Sequence, residues 1–295
     1  MFYVGEYSDI GIDLNKDVTG FEYTNLTCAF DTLLTSFLVI SQSESLEKKV
    51  VFERSMPFLT STSERVLNES MTYPDAKEHL LLTFFFSEGR FRPNQFQMVG
   101  DVIEFILRSQ ILSVEESDEN FIQLQYYQKL SCHSEMCSLR DPTVTPDFAN
   151  SIAFHGALVD KSSINSMINE YFVNRRRHFK CLMCSIFMKK EWIITKLPRV
   201  LYVALCGDEI EFDIDRQIIL DNIVYKLIVV IYSGSGHFMS RMMVNDRVVE
   251  YDGMVANGSF ISVDPVNAFH TKVVDLRGTQ RMVFQILYKR EGDSY

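Results

Sequence analysis

Hydrophobic positions first fall into a regular pattern at Phe30, Leu33, Leu34, Phe37 and Leu38, the spacing of one helix face. Thr24, Asn25 and Thr27 stand just before it and are good caps or turn residues. The pattern predicts a helix over 24–40. Gln95 to Gln110 reads as a second amphipathic helix, with Val102, Phe105 and Ile106 on its inner face. Between them, residues 41–80 mix Ser, Glu and Thr with apolar positions and predict further helices. Residues 80–86 (Leu-Leu-Leu-Thr-Phe-Phe-Phe) form a core segment too short to cross a bilayer. From about residue 120 the period changes. Residues 121–132 partly alternate and predict a strand, a short helix is expected over 163–172, and 185–206, 217–232, 241–252, 259–263 and 281–290 are strand-bearing. Helices first and strands later make an α+β plan, not a chain of βαβ units.

Composition supports a folded chain and narrows its partners. Of 295 residues, 46% are hydrophobic and 23% charged, which excludes a disordered tail and allows a sizeable core. The net charge of −10 argues against nucleic acid and against an anionic membrane surface. The first residues lack a basic start and a long apolar segment, so no secretory signal is expected. The expectation is a reducing, intracellular setting, cytoplasmic or nuclear, in which cysteines are metal ligands, nucleophiles or core residues.

The six cysteines divide along those lines. Cys132 and Cys137 form one close pair, Cys181 and Cys184 another. Two short loops with two thiolates each are the usual way to build a closed tetrahedral zinc site, and four ordinary loop thiols are the alternative. His133, beside Cys132, is a substitute ligand. Cys206 ends an apolar strand-like run from Leu197 and reads as a small core residue. Cys28 falls at the predicted helix start. There, free amides and the helix dipole favour a thiolate and are expected to lower its pKa; a buried helix cysteine is the alternative.

The C-terminal half holds a histidine in an unusual setting. Tyr225 to Tyr232 reads as a strand, followed by Ser-Gly-Ser-Gly236 and then His237 at the start of the next strand. Gly234 and Gly236 let backbone approach a ligand closely. Asn245-Asp246 predicts a turn, and Arg247 to Tyr251 a returning strand that ends at Asp252. A hairpin of that size can place Asp252 beside His237. Its carboxylate would then hold one imidazole nitrogen and leave the other for a nucleophile. A structural histidine is the alternative. Cys28, His237 and Asp252 together have the composition of a cysteine-protease triad.

Five ordered segments resemble the ubiquitin-specific protease family over about residues 24–290. Asn25-Leu-Thr-Cys28-Ala-Phe-Asp-Thr-Leu-Leu34 is similar to the family's cysteine box, with Asp31 and Thr32 where Asn and Ser are usual. Asp101-Val-Ile-Glu-Phe105 is similar to its Asp-x-x-Glu-Phe segment. The two cysteine pairs followed by Leu197-Pro-Arg-Val-Leu201 match its zinc-ribbon region and the strand after it. Gly236-His237-Phe238 and Tyr251-Asp252 resemble its histidine box, and Val283 to Arg290 its closing strand.

The resemblance implies one papain-like cysteine protease domain over 1–295: a helical thumb at about 20–120, zinc-ribbon fingers at about 121–200 and a β-rich palm at about 201–290. It implies cleavage of the isopeptide bond that joins ubiquitin to a protein. Cys28 is then the nucleophile, His237 the base and Asp252 its orienter. Structural Zn²⁺ sits on Cys132, Cys137, Cys181 and Cys184, and Asp101 and Gly236 contact the modifier's tail. Tyr23 and Leu26 stand where the family has oxyanion-donating asparagines, which leaves Asn25 or backbone amides for that role. Cys28-x-x-Asp31 is also similar to a divergent branch that acts on SUMO. The two other readings are therefore a SUMO or related isopeptidase and a catalytically weak ubiquitin-binding module of the same fold.

Overall fold

A computed structural model describes residues 28–42, 61, 62, 65, 70–82 and, with short gaps, 122–291. The chain divides into two compact units. One comprises 1–116 with 228–284, the other 117–227 with 285–295.

In the first unit, helix α1 (Cys28–Gln42) is buried on every side from Cys28 to Ile40. A helix apolar on one face only would leave the other to water. Here the remaining positions are Asp31, Thr32, Thr35 and Ser36, small or short polar groups that can be satisfied internally. The Ser36 hydroxyl donates to the Thr32 carbonyl at 2.6 Å, and Thr32 Oγ1 donates to the Phe238 carbonyl at 3.4 Å. Phe30, Leu33 and Phe37 lie within α1's core face, each contributing about 1.5–3 kcal/mol by burial. Helix α2 (Tyr73–Leu80) begins at Thr72, whose hydroxyl accepts the Asp75 amide and donates to the Asp75 carboxylate. Its Lys77 meets Asp31 of α1 at 2.8 Å, with both side chains nearly inaccessible.

The second unit contains a three-stranded antiparallel ribbon. Its strands are β1 (Leu124–Cys132), β2 (Thr143–Ala149) and β4 (Met188–Lys196), in the order β2-β1-β4. Tyr126 and Trp192 stack edge-on across it at 4.5 Å. Strand β3 (Ile152–His155) runs parallel to β5 (Val200–Cys206). Helix α3 (Ile164–Val173) lies between them in sequence, its Asn165 amide held by the Asp215 carboxylate at 2.8 Å. Strand β6 (Gln217–Leu220) pairs with the first residues of β7 (Ile223–Gly234).

Returning to the first unit, the end of β7 turns through Ser235-Gly236 into β8 (His237–Val244), which pairs with β9 (Arg247–Tyr251). Strand β10 (Ile261–Val263) adds to β9, and β11 (Lys272–Val274) to β12 (Gln280–Arg290), which neighbours β7. Strands β2 and β3 fall in stretches for which the sequence pattern predicts no element. Thr143–Ala149 contains Pro146 and, among its described side chains, only exposed or half-buried positions, as an edge strand permits. The expected helix over 95–110 lies outside the described residues, and of the apolar segment 80–86 only residues 80–82 are described. Leu80 and Leu81 are buried there, whereas Leu82 is exposed.

Candidate active site and cysteine cluster

Strand register brings His237 and Asp252 together. In the β8–β9 pairing Ser240 faces Tyr251, so the next residue, Asp252, continues opposite Met239. Side chains two apart on a strand share a face, which makes His237 and Asp252 diagonal neighbours. His237 Nε2 meets Asp252 Oδ1 at 2.7 Å, with both side chains buried. The same oxygen accepts the Met254 amide at 2.9 Å, and Arg277 Nη2 stands 3.4 Å from Oδ2. Burial by itself would raise the Asp252 carboxyl. The His237 bond, the Met254 amide and the Arg277 charge outweigh it and hold the group below the ordinary carboxylate value.

Cys28 is the first residue of α1, which packs against β8. Its sulfur accepts a hydrogen bond from the Phe238 amide, so the thiol sits against the strand at the residue next to His237. Its pKa departs from the sequence expectation. Burial dominates and pushes the thiol above its ordinary value, and the nearby Asp31 carboxylate adds to this. The amides of Phe238, Ala29 and Cys28 itself oppose the shift without reversing it. Cys28 is 3% exposed, so the helix N-terminus acts on a thiol largely cut off from water. A protonated resting thiol needs a base.

The turn before His237 has Ser235 at φ 48° and Gly236 at φ 70°. Two successive positive φ values define the mirror-image turn that suits a two-residue hairpin, and glycine at the second avoids a Cβ clash. Gly236 faces open space, whereas Gly234 is closely packed: a Cβ there would lie 3.1 Å from the Gln280 carbonyl oxygen. Gly234 thus serves strand packing, and open backbone is found at Gly236. Asn25, Asp101 and His133 lie outside the described residues, as do the turn residues 245–246 and the Cys206 side chain.

In the second unit, Cys132, Cys137, Cys181 and Cys184 converge, with all sulfurs within 4.8 Å of one another. Cys132 and Cys184 are 3.3 Å apart, Cys137 and Cys181 3.6 Å. These are free thiols. Tetrahedral Zn–S bonds of about 2.3 Å require S···S separations of about 3.8 Å, so the set fits a zinc ion with little adjustment. The second loop is shaped for it. Ser185 takes φ 59°, its amide donates to the Cys181 carbonyl at 2.8 Å, and the Cys181 amide donates to Ile186 O at 2.7 Å. Amides of Met183 and Cys184 pull the Cys181 thiol down to about 7. The Ser134 amide favours the Cys132 thiolate, but burial and the S–H bonds that Cys132 donates to the neighbouring sulfurs win and hold it up at about 12. Four thiols sharing one space cannot all ionise unaided, and a divalent cation removes that conflict.

Three charged residues of this region carried no sequence signal: Arg277 beside Asp252, Lys77 beside Asp31, and Arg281 behind the His237 turn. Each is distant in sequence from the group it meets.

No protein-family model and no curated protein matches the sequence. Solved structures do match in fold. The chain is similar to one in the SAGA DUB module of Ubp8, Sgf11, Sus1 and Sgf73 bound to monoubiquitin. The TM-score is 0.65 at 13% identity, covering 95% of this chain and 71% of that one. The module bound to ubiquitin aldehyde gives a TM-score of 0.64 at 13% identity, over 96% and 72% of the two chains. A further structure of the Ubp8-Sgf11-Sgf73-Sus1 module gives 0.62 at 15% identity, over 95% and 69%. The fold is that of Ubp8 in outline. It is mixed α and β, mostly β, and at these identities the likeness is one of fold alone.

Proposed function

We propose that this chain is a cysteine-dependent isopeptidase of the ubiquitin-specific protease type, which removes ubiquitin from protein conjugates. The observation that carries the reading is the buried 2.7 Å His237–Asp252 pair, beside a helix-initial Cys28 whose sulfur is bonded at Phe238. The fold likeness to ubiquitin-bound modules supports ubiquitin as the modifier.

Asp252 holds Nε2 of His237, which leaves Nδ1 for the Cys28 thiol proton. The thiolate adds to the carbonyl carbon of the modifier's terminal glycine. Amides at the start of α1, with Asn25 as a further donor, receive the oxyanion. Collapse breaks the C–N bond, and His237 returns its proton to the departing lysine amine. Water then hydrolyses the thioester, with His237 again as base, and frees Cys28. Asp101 and Gly236 would line the path of the tail. Structural Zn²⁺ on the four cysteines would tie the two loops at the end of the β1–β4 ribbon. The thumb, fingers and palm boundaries stay as the sequence resemblance draws them.

Free thiols suit a reducing, intracellular location, and the net charge of −10 speaks against nucleic acid and membrane partners. Among the described residues, no helix is long and apolar enough to cross a membrane.

The deciding experiment treats the protein with ubiquitin and SUMO probes that carry a C-terminal thiol trap, read by intact mass. One adduct with the ubiquitin probe, absent in Cys28→Ala, supports the proposal; reaction with the SUMO probe alone changes the modifier. A second reading, a weakly active ubiquitin-binding module, is favoured by the burial that raises Cys28. It is the outcome if folded protein forms no adduct yet binds ubiquitin in a titration.

A further inference from the structure

Near His237 lies a buried ion pair that the proposed reaction does not use. Asp275 is 4% exposed and Arg281 2%. Asp275 Oδ2 accepts from Arg281 Nε at 2.9 Å and faces Nη2 at 2.8 Å. Its other oxygen accepts the amides of Arg277 at 2.9 Å and Thr279 at 2.8 Å, closing a tight turn in which Gly278 takes φ 77°. The remaining arm of Arg281, Nη1, donates to the Gly234 carbonyl. Gly234 is the residue paired with His237 across the two-residue turn. A Cβ on Gly234 would also stand 3.4 Å from Arg281 Cδ, so the glycine is what lets the arginine-bearing strand come so close. Arg277, in the turn that Asp275 caps, points its Nη2 at Asp252 Oδ2.

The turn has reason to need a clamp. Ser235 has a Cβ and sits at positive φ, a backbone conformation strained for any residue but glycine. A buried, charge-assisted bond to the carbonyl at the turn's base resists relaxation of that hairpin. A buried guanidinium needs a carboxylate against it to offset desolvation, and Asp275 supplies one to Arg281.

We propose that Arg281, oriented by Asp275, is a positioning residue for His237: it grips the Gly234 carbonyl and so fixes the turn from which the histidine projects towards Cys28. The proposal rests on the triad reading above, and its test separates the two. Wild type, Asp275→Asn, Arg281→Lys, His237→Ala and the Asp275→Asn/His237→Ala double variant are alkylated with iodoacetamide. The rate at Cys28 is read from its peptide mass, and near-UV circular dichroism checks the fold. Asp275→Asn keeps an acceptor for the turn amides while removing the charge and the oxygen that accepts from Arg281, and Arg281→Lys, which keeps the positive charge, is the milder companion.

The expected result is a tenfold or greater slowing in Asp275→Asn and a milder one in Arg281→Lys. His237→Ala is slow as well, and adding Asp275→Asn to it slows nothing further. Long-range ¹H–¹⁵N spectra should show the His237 imidazole signals shifted or broadened in Asp275→Asn. Wild-type alkylation and unmoved His237 signals in Asp275→Asn would overturn the positioning role alone. The same holds if Asp275→Asn slows the His237→Ala background as much as it slows wild type. An unchanged Cys28 rate in His237→Ala would remove the triad reading and the proposal with it.

Discussion

Lys77 and Asp31 make a sharp test of how the nucleophile's helix is held. Their charged atoms are 2.8 Å apart and their side chains 6% and 1% exposed. At an effective dielectric near 20, that separation gives about 6 kcal/mol of attraction. Desolvation of both groups offsets most of it, so the pair itself adds little net stability. Removing one partner is different, because the remaining charge keeps its desolvation cost. Lys77→Met is therefore expected to destabilise the protein by about 3–5 kcal/mol. The double variant Asp31→Leu/Lys77→Met should lie much closer to wild type, giving a large coupling energy in a double-mutant cycle. Urea unfolding followed by fluorescence measures all four proteins. A second readout ties the pair to Cys28. The Asp31 carboxylate pushes the thiol up, so leaving that buried charge without its lysine in Lys77→Met should slow Cys28 alkylation at neutral pH, and the double variant should recover it. A Lys77→Met protein within 1 kcal/mol of wild type, or a double variant as unstable as the single, would refute the reasoning.

Cys28→Ala should abolish turnover and leave the unfolding midpoint nearly unchanged; equal activity in the two proteins would remove the mechanism. Cys181→Ser should lower both bound zinc, counted by elemental mass spectrometry, and the unfolding temperature, and chelation of wild type should reproduce the second effect. The Asp252 carboxyl is lowered in the folded state, so its contribution to stability is complete above the ordinary value of 3.8 and is lost as pH falls through the folded value. Acid titration of unfolding stability should therefore be shallower below pH 4 in Asp252→Asn than in wild type. Gly236→Ala places a Cβ at φ 70° and should cost about 1 kcal/mol, measured by thermal unfolding, although the site itself has room.

Local pattern told a good deal about this chain, because helix periodicity, strand alternation and close cysteine spacing are local quantities. The apolar positions from Phe30 to Leu38 marked α1 and put Cys28 at its start, and the glycine-containing stretch after Tyr232 marked the turn that opens β8 at His237. Cys132 with Cys137 and Cys181 with Cys184 have the close spacing of paired metal-ligand loops, and the fold brings the two pairs together. Properties that depend on what lies across space did not follow from pattern. Register, with Ser240 opposite Tyr251, is what makes Asp252 a neighbour of His237, and a slip of one residue would have turned the carboxylate to the other face. The Cys28 thiol moved opposite to its helix-start expectation because burial depends on everything packed around α1, and that outweighed the nearby amides. Gly234 and Gly236 look alike in sequence, yet one is pressed against Gln280 and the other faces open space. Lys77, Arg277 and Arg281 were ordinary surface charges by type. Only the tertiary fold buried or aimed them, by bringing a carboxylate or a carbonyl from a distant segment within bonding distance.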